Sequence, residues 1–139
     1  MESETRSLNG DADVWPHILV VDDLEDNREL LRRRLMIARF TVSEACDGRE
    51  CLARLGEEKF DAVLLDYMMP GIDGLETLRR IRETWSKRDL PVIMVTARDE
   101  DPMIVKCLES GANDYVAKPF SFAVLQARLR AALPEAAAA

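Results

Sequence analysis

Five times along the chain a short apolar run meets a polar stop and then gives way to a pattern of helical period. Residues 17–21, 40–44, 62–65, 91–96 and 114–117 are the apolar runs. Their length and Val, Ile and Leu content suit strands, and the continuous run 17–21 reads as a buried one. Residues 40–44 instead alternate apolar and polar, as an outer strand does. Strands that alternate with helices require a parallel sheet, covered on both sides through right-handed crossovers. The expected fold is therefore α/β, a doubly wound five-stranded parallel sheet in one domain.

The helices announce their own limits. The first spans about 26–38, with Leu31, Leu35 and Ala38 as its apolar stripe, Leu30 and Ile37 widening it and Arg34 interrupting it. Asp47 with Glu50, and Asp73 with Glu76, have capping-box spacing. The second helix carries Cys51, Leu52 and Leu55 and is expected to end at Gly56. The third carries Leu75, Leu78, Ile81 and Trp85. Asp101 before Pro102 predicts the start of a fourth, with Ile104, Cys107 and Leu108 inward and Gly111 as its stop. Ser121 caps a last helix bearing Phe122, Leu125, Leu129 and Leu133. Residues 1–14 are polar and aperiodic and read as a disordered arm, 15–133 as the domain, and 134–139 as a tail or linker start.

Composition removes several classes of function. A net charge of -7 disfavours an electrostatic grip on nucleic acid or an anionic membrane. Cys46, Cys51 and Cys107 are odd in number and form no CxxC, which argues against a disulfide framework or zinc and for a reducing cytoplasm. No apolar run is long enough to cross a membrane, and the first residues have no basic and apolar regions of a secretion signal.

The chemistry collects where the strands end. In open α/β sheets sites form beyond the carboxyl ends of the strands. The first run ends in Asp22 and Asp23, the third in Asp66, the fourth in Thr96 and the fifth in Lys118. Singly, each has an ordinary explanation: an acid pair is often a turn and cap device, a lysine a solvated charge. Together they deliver three carboxylates, a hydroxyl and an ammonium to one rim. Three converging carboxylates repel unless compensated, and one lysine is too little. Mg²⁺, which favours oxygen ligands, is the natural complement, and it brings the formal charge to -3 + 1 + 2 = 0. Such a site can accept a phosphoryl group, with Asp66 as nucleophile.

VVDD at 20–23, LLDYMMPGIDG at 64–74, VTA at 95–97, GANDYVAKPF at 111–120 and the helix start at Gly48 together resemble the receiver domain of bacterial two-component response regulators. The resemblance covers about residues 16–133. It implies a flavodoxin-like (βα)5 fold with strand order 2-1-3-4-5. It implies that Asp66 takes a phosphoryl group from a histidine kinase or histidine phosphotransfer protein. Asp23 and Asp66 would bind Mg²⁺, with Asp22 acting largely through water and Met68 through its backbone carbonyl. Thr96 and Lys118 would engage the phosphate, and Thr96 and Tyr115 would form the switch. The Lys118–Pro119 peptide is expected to be cis. Met68 and Arg98 occupy positions that tune acyl-phosphate lifetime. The output surface would draw on Lys106, Glu109, Arg128 and Arg130 and act on a downstream output domain or protein, with a phosphorylation-dependent homodimer as a further possibility. The expected role is a regulator that assists its own phosphorylation and dephosphorylation rather than an enzyme. No effector domain is recognisable after about residue 133, and the arm and alanine tail suggest a piece of a larger protein.

Three other readings use the same features less well. Hydrolases of the haloacid dehalogenase type usually carry a second Asp two residues beyond the first, where this chain has Met68. A flavodoxin-like FMN binder needs a hydroxyl- and glycine-rich loop after the first strand, where this chain has Asp22, Asp23, Leu24, Glu25 and Asp26. A phosphate-independent docking module commonly loses one of the acids, the threonine or the lysine, and this chain keeps them all.

Overall fold

The computed structural model describes residues 15–97 and 100–134. The expected arm over 1–14, the reading of Arg98 and the tail beyond Pro134 lie outside the described residues. Among the described residues ten elements alternate: β1 (His17–Val21), α1 (Glu25–Ile37), β2 (Thr41–Ala45), α2 (Gly48–Glu57), β3 (Ala62–Leu65), α3 (Gly74–Arg82), β4 (Val92–Thr96), α4 (Asp101–Glu109), β5 (Asp114–Ala117) and α5 (Phe122–Ala132). The sheet is parallel throughout, in the order β2-β1-β3-β4-β5.

Strand parity divides the core in two. Side chains alternate across a strand, so neighbours in sequence enter opposite layers. Ile18, Val20, Ala62, Leu64, Ile93, Val95 and Val116 pack with Leu31 and Leu35 of α1 and with Leu125 and Leu129 of α5. Leu19, Val21, Val63, Leu65, Val92 and Met94 face the other way, onto Cys51 and Leu55 of α2, Leu75, Leu78 and Ile81 of α3 and Cys107 of α4. Both faces of the central strands are thus closed to water, which is why those runs carry no polar residue before their ends.

Several boundaries and stripes differ from the sequence expectation. The α1 stripe is narrow: Leu31 and Leu35 are buried, whereas Leu30 is 57% and Ile37 82% exposed. Both lie about 100° or more around the helix from Leu31, beyond the arc that one sheet can cover. Helix α2 passes through Gly56 to Glu57. Its cap at Asp47 accepts from the Glu50 N–H at 2.8 Å, and the Glu50 carboxylate accepts from the Cys46 N–H at 2.7 Å. Asp73 caps α3 through the Glu76 N–H, while the Glu76 side chain turns to Arg80. Trp85 lies past the end of α3 yet packs against the core. Glu100, not Asp101, is the N-cap of α4, so Pro102 is the second helical residue, and Leu108 is 41% exposed. Phe40 lies just before β2 and is fully buried.

Gly74 is where the β3–α3 turn closes on itself. A Cβ there would collide with the Asp66 carbonyl oxygen and lie 2.6 Å from the Tyr67 Cα, and the Gly74 N–H donates to the Tyr67 carbonyl at 2.7 Å. The colliding atoms are backbone and cannot rotate away. Gly74→Ala is expected to lower stability by about 2–3 kcal/mol, read as a shift of the urea midpoint. Burial pushes the Cys51 thiol up to about 12 and raises that of Cys107, while Cys46 is exposed. A disulfide-exchange reagent should therefore modify Cys46 alone in the folded protein and all three thiols after denaturation.

Candidate functional site

Strand ladders bring the site residues side by side. Val21 of β1 is in register with Leu65 of β3, and the bonding continues one residue further, from the Asp66 N–H to the Val21 carbonyl at 3.0 Å. The Asp22 N–H donates to Ala45 at the end of β2 at 3.2 Å, and the Lys118 N–H to Thr96 at 2.8 Å. Asp22, Asp66, Thr96 and Lys118 thus share the carboxyl rim of the sheet because each stands at or just past the last paired residue of its strand. Asp22, Asp66 and Thr96 are buried, and Asp23 is exposed.

The three acids are close enough to act as one group: carboxylate oxygens of Asp22, Asp23 and Asp66 lie within 4.8 Å of one another. The Lys118 Nζ is 2.9 Å from Asp22 Oδ2 and 3.6 Å from Asp66 Oδ2. Asp22 is further held by the Leu24 N–H on Oδ1 at 2.9 Å and Asn27 Nδ2 on Oδ2 at 3.3 Å. Burial raises the Asp66 carboxyl above its ordinary value, and the neighbouring Asp22 adds to this. Lys118, the Thr96 hydroxyl and the Met68 N–H pull the other way. Three carboxylates facing one ammonium leave a formal -2 at the rim, a deficit that suits a hard dication. Octahedral Mg²⁺ with bonds of about 2.1 Å spaces its ligand oxygens roughly 3–4 Å apart, a span comparable to the separation of these carboxylates.

The remaining expected residues differ in their distance from this centre. Met68 is 54% exposed, and it lines an open cavity with Asp23, Tyr67, Met69, Pro70 and Asp73. Tyr115 is half-buried against the α2–α4 core layer, in register with Met94. The Lys118–Pro119 peptide is cis. Lys106 and Glu109 are exposed on α4, and Arg128 pairs with Asp114 at 3.1 Å. Arg130 departs from the expected output surface. It donates to the Ala38 carbonyl at 2.7 Å and lies 4.6 Å from the centroid of the Phe40 ring, so it ties α5 to the α1–β2 turn.

Two residues not singled out from the sequence also reach the site, and a third holds one of them in place. Asn27 contacts Asp22 directly, and Arg28 Nη1 donates to the Asp22 backbone carbonyl at 2.8 Å. Glu44 holds the Arg28 Nε at 3.1 Å. Their signal was positional: Asn27 and Arg28 fall in the first two turns of the helix that follows the acid pair.

The family model described as the response regulator receiver domain matches residues 18–130. Response regulator MprA of Mycolicibacterium vanbaalenii is 48% identical over 116 residues, 84% of this chain and 49% of that protein. The chain thus spans about half the length of the curated relatives it matches. Response regulator TrrA of Thermotoga maritima, solved in complex with Mg²⁺-BeF, is 35% identical with a TM-score of 0.76, over 85% of this chain and 99% of that one. A probable two-component system response regulator/GGDEF domain protein is 33% identical with a TM-score of 0.81, over 94% of this chain and 53% of that one. This chain belongs to the response regulator receiver domain family, the phosphorylation-activated switches of two-component signalling.

Proposed function

We propose that Asp66 is the phosphoacceptor of this switch and that the surrounding rim residues serve its phosphorylation. The observation that carries this reading is the set of groups gathered on Asp66. The carboxylates of Asp22 and Asp23, the Lys118 ammonium, the Thr96 hydroxyl and the Met68 N–H all lie close to its carboxylate. Asp22 already accepts from Leu24, Asn27 and Lys118, which suits a structural ligand better than a nucleophile.

Asp23, Asp66 and the Met68 carbonyl would hold Mg²⁺, with Asp22 acting through water. When bound, Mg²⁺ supplies positive charge opposite the phosphoryl oxygens. An Asp66 carboxylate oxygen bonds to phosphorus as the P–N bond of a partner's phosphohistidine breaks. The imidazole nitrogen leaves with the electron pair and takes up a proton. Lys118 pairs with the phosphoryl group, and Thr96 donates to one of its oxygens. Thr96 and Tyr115 then carry the change to the face built from α4, β5 and α5, which an output domain or protein reads. The phosphodonor is a histidine kinase or histidine phosphotransfer protein, and the compartment is the cytoplasm. The chain acts as a stoichiometric regulator rather than a turnover enzyme, without direct nucleic-acid binding. No helix among the described residues is long and apolar enough to cross a membrane.

Incubation with acetyl phosphate and Mg²⁺ followed by intact-mass analysis tests the proposal. One phosphoryl adduct is expected on the wild type and none on Asp66→Asn or in EDTA. Lys118→Ala should slow adduct formation about 100-fold. Wild type that takes no adduct under any condition would point instead to a phosphate-independent docking module.

The raised Asp66 carboxyl has a second consequence. The folded state keeps this proton where the unfolded chain has released it. Its contribution to stability therefore falls as pH rises from the ordinary carboxylate range through the raised value. In EDTA at neutral pH, Asp66→Asn should melt a few degrees above wild type. The gap should close as pH falls below the ordinary Asp range. A gap that does not change with pH would show that ionisation of Asp66 is not its cause.

A further inference from the structure

We propose that Arg28 is a positioning residue for the acid pair: it holds the Asp22–Asp23 peptide plane and thereby sets the metal affinity of the rim. This rests on the reading of Asp22, Asp23 and Asp66 as Mg²⁺ ligands.

Asp22 stands just beyond the last residue of β1. Its N–H is tied to Ala45 and its carboxylate to Leu24, Asn27 and Lys118. Its carbonyl is met by Arg28 Nη1 at 2.8 Å. That carbonyl belongs to the peptide group joining Asp22 to Asp23, which is planar. Fixing its oxygen fixes the plane from which the Asp23 Cα departs. Asp23 is exposed, so packing does little to orient its side chain and the backbone plane is the main control over where its carboxylate points.

Arg28 is suited to this work because it is itself held. Its side chain is 16% exposed, and its Nε donates to Glu44 Oε1 at 3.1 Å. The other Glu44 oxygen is taken by Arg32 Nε at 2.9 Å. Glu44 lies on β2, one of the two edge strands, and is in register with Val20 of β1. The planar guanidinium therefore bridges the edge strand and the acid loop through two of its nitrogens, a geometry that lysine's single ammonium reproduces only in part. Partners behind a metal ligand typically govern affinity by about 10–100-fold.

Charge alone predicts the opposite sign. Arg28 is a cation beside a site for a dication, so removing it lessens repulsion and should tighten Mg²⁺ binding. Arg32 offers the matched control: the same charge on the same helix and the same Glu44, with its bond to Glu44 rather than to Asp22.

The experiment is calorimetric titration with Mg²⁺ alone on wild type, Arg28→Met, Arg28→Lys, Arg32→Met and Asp23→Asn. Thermal melts and the Asp23 amide resonance in metal-free protein are recorded for each. Wild type should bind Mg²⁺, and Asp23→Asn should weaken it. Arg28→Met should weaken it about tenfold and shift the Asp23 amide, Arg28→Lys should fall between the two, and Arg32→Met should match wild type or bind slightly tighter. Arg28→Met with unchanged or tighter affinity would overturn the proposal while leaving the metal site intact. An equal loss in Arg32→Met would overturn it too, by assigning the effect to Glu44 rather than to the Asp22 carbonyl. Wild type that does not bind Mg²⁺ would overturn the metal reading itself. If Arg28→Met does not fold, Arg28→Lys decides: affinity equal to wild type with an unmoved Asp23 amide sinks the proposal, and a loss with the shifted amide supports it.

Discussion

Three carboxylates are forced together at the carboxyl rim of the sheet, and much of the local structure is arranged around that repulsion. The parallel ladder leaves little choice, because Val21 and Leu65 are in register and Asp22 and Asp66 each come next. Burial makes the crowding worse by removing water that would screen it. The compensations come from four directions: Lys118 from β5, Thr96 from β4, backbone N–H groups of Leu24 and Met68, and the amide of Asn27. Lys118 offsets one negative charge and the neutral donors stabilise the carboxylates without cancelling theirs. That residual negative charge suits a hard cation.

The rest of the fold keeps this arrangement rigid. Strand parity sends alternate residues into two separate core layers, so each central strand is gripped from both sides. A strand held in that way cannot slip, since a one-residue shift would exchange its two faces and displace its terminal residue. Gly74 performs a matching task in the turn after Asp66, where backbone meets backbone and no side chain fits. Edge strand β2 contributes no acid to the rim, yet Ala45 and Glu44 reach it by a hydrogen bond and by way of Arg28.

Much of this was legible in the sequence. The apolar runs could be read because buried parallel strands tolerate no polar interruption, and Asp47, Asp73 and Ser121 announced helix starts that the side-chain caps display. The acids, Thr96 and Lys118 could be read because each interrupts an apolar run at its end. Other features left no such mark. Leu30 and Ile37 are as apolar as Leu31 and Leu35, and only the width of the contact between α1 and the sheet exposes them. Arg130 has the composition of an output-surface residue, yet it reaches across to Ala38 and Phe40, far away in sequence. Arg28 and Glu44 were hidden for the same reason, as charged residues on a helix and an outer strand that ordinarily point to water.

By itself the sequence determined the kind of sheet, the two-sided burial of its central strands and the set of groups gathered at one rim. Those follow from local periodicity and from chemistry placed at strand ends, which neighbouring residues encode. Tertiary structure alone decided which acid Lys118 approaches more closely, which apolar residues of α1 stay in water and which arginine holds the acid loop. Those outcomes depend on distances between elements far apart in the chain, where a few ångströms separate a solvated charge from a hydrogen-bonded one.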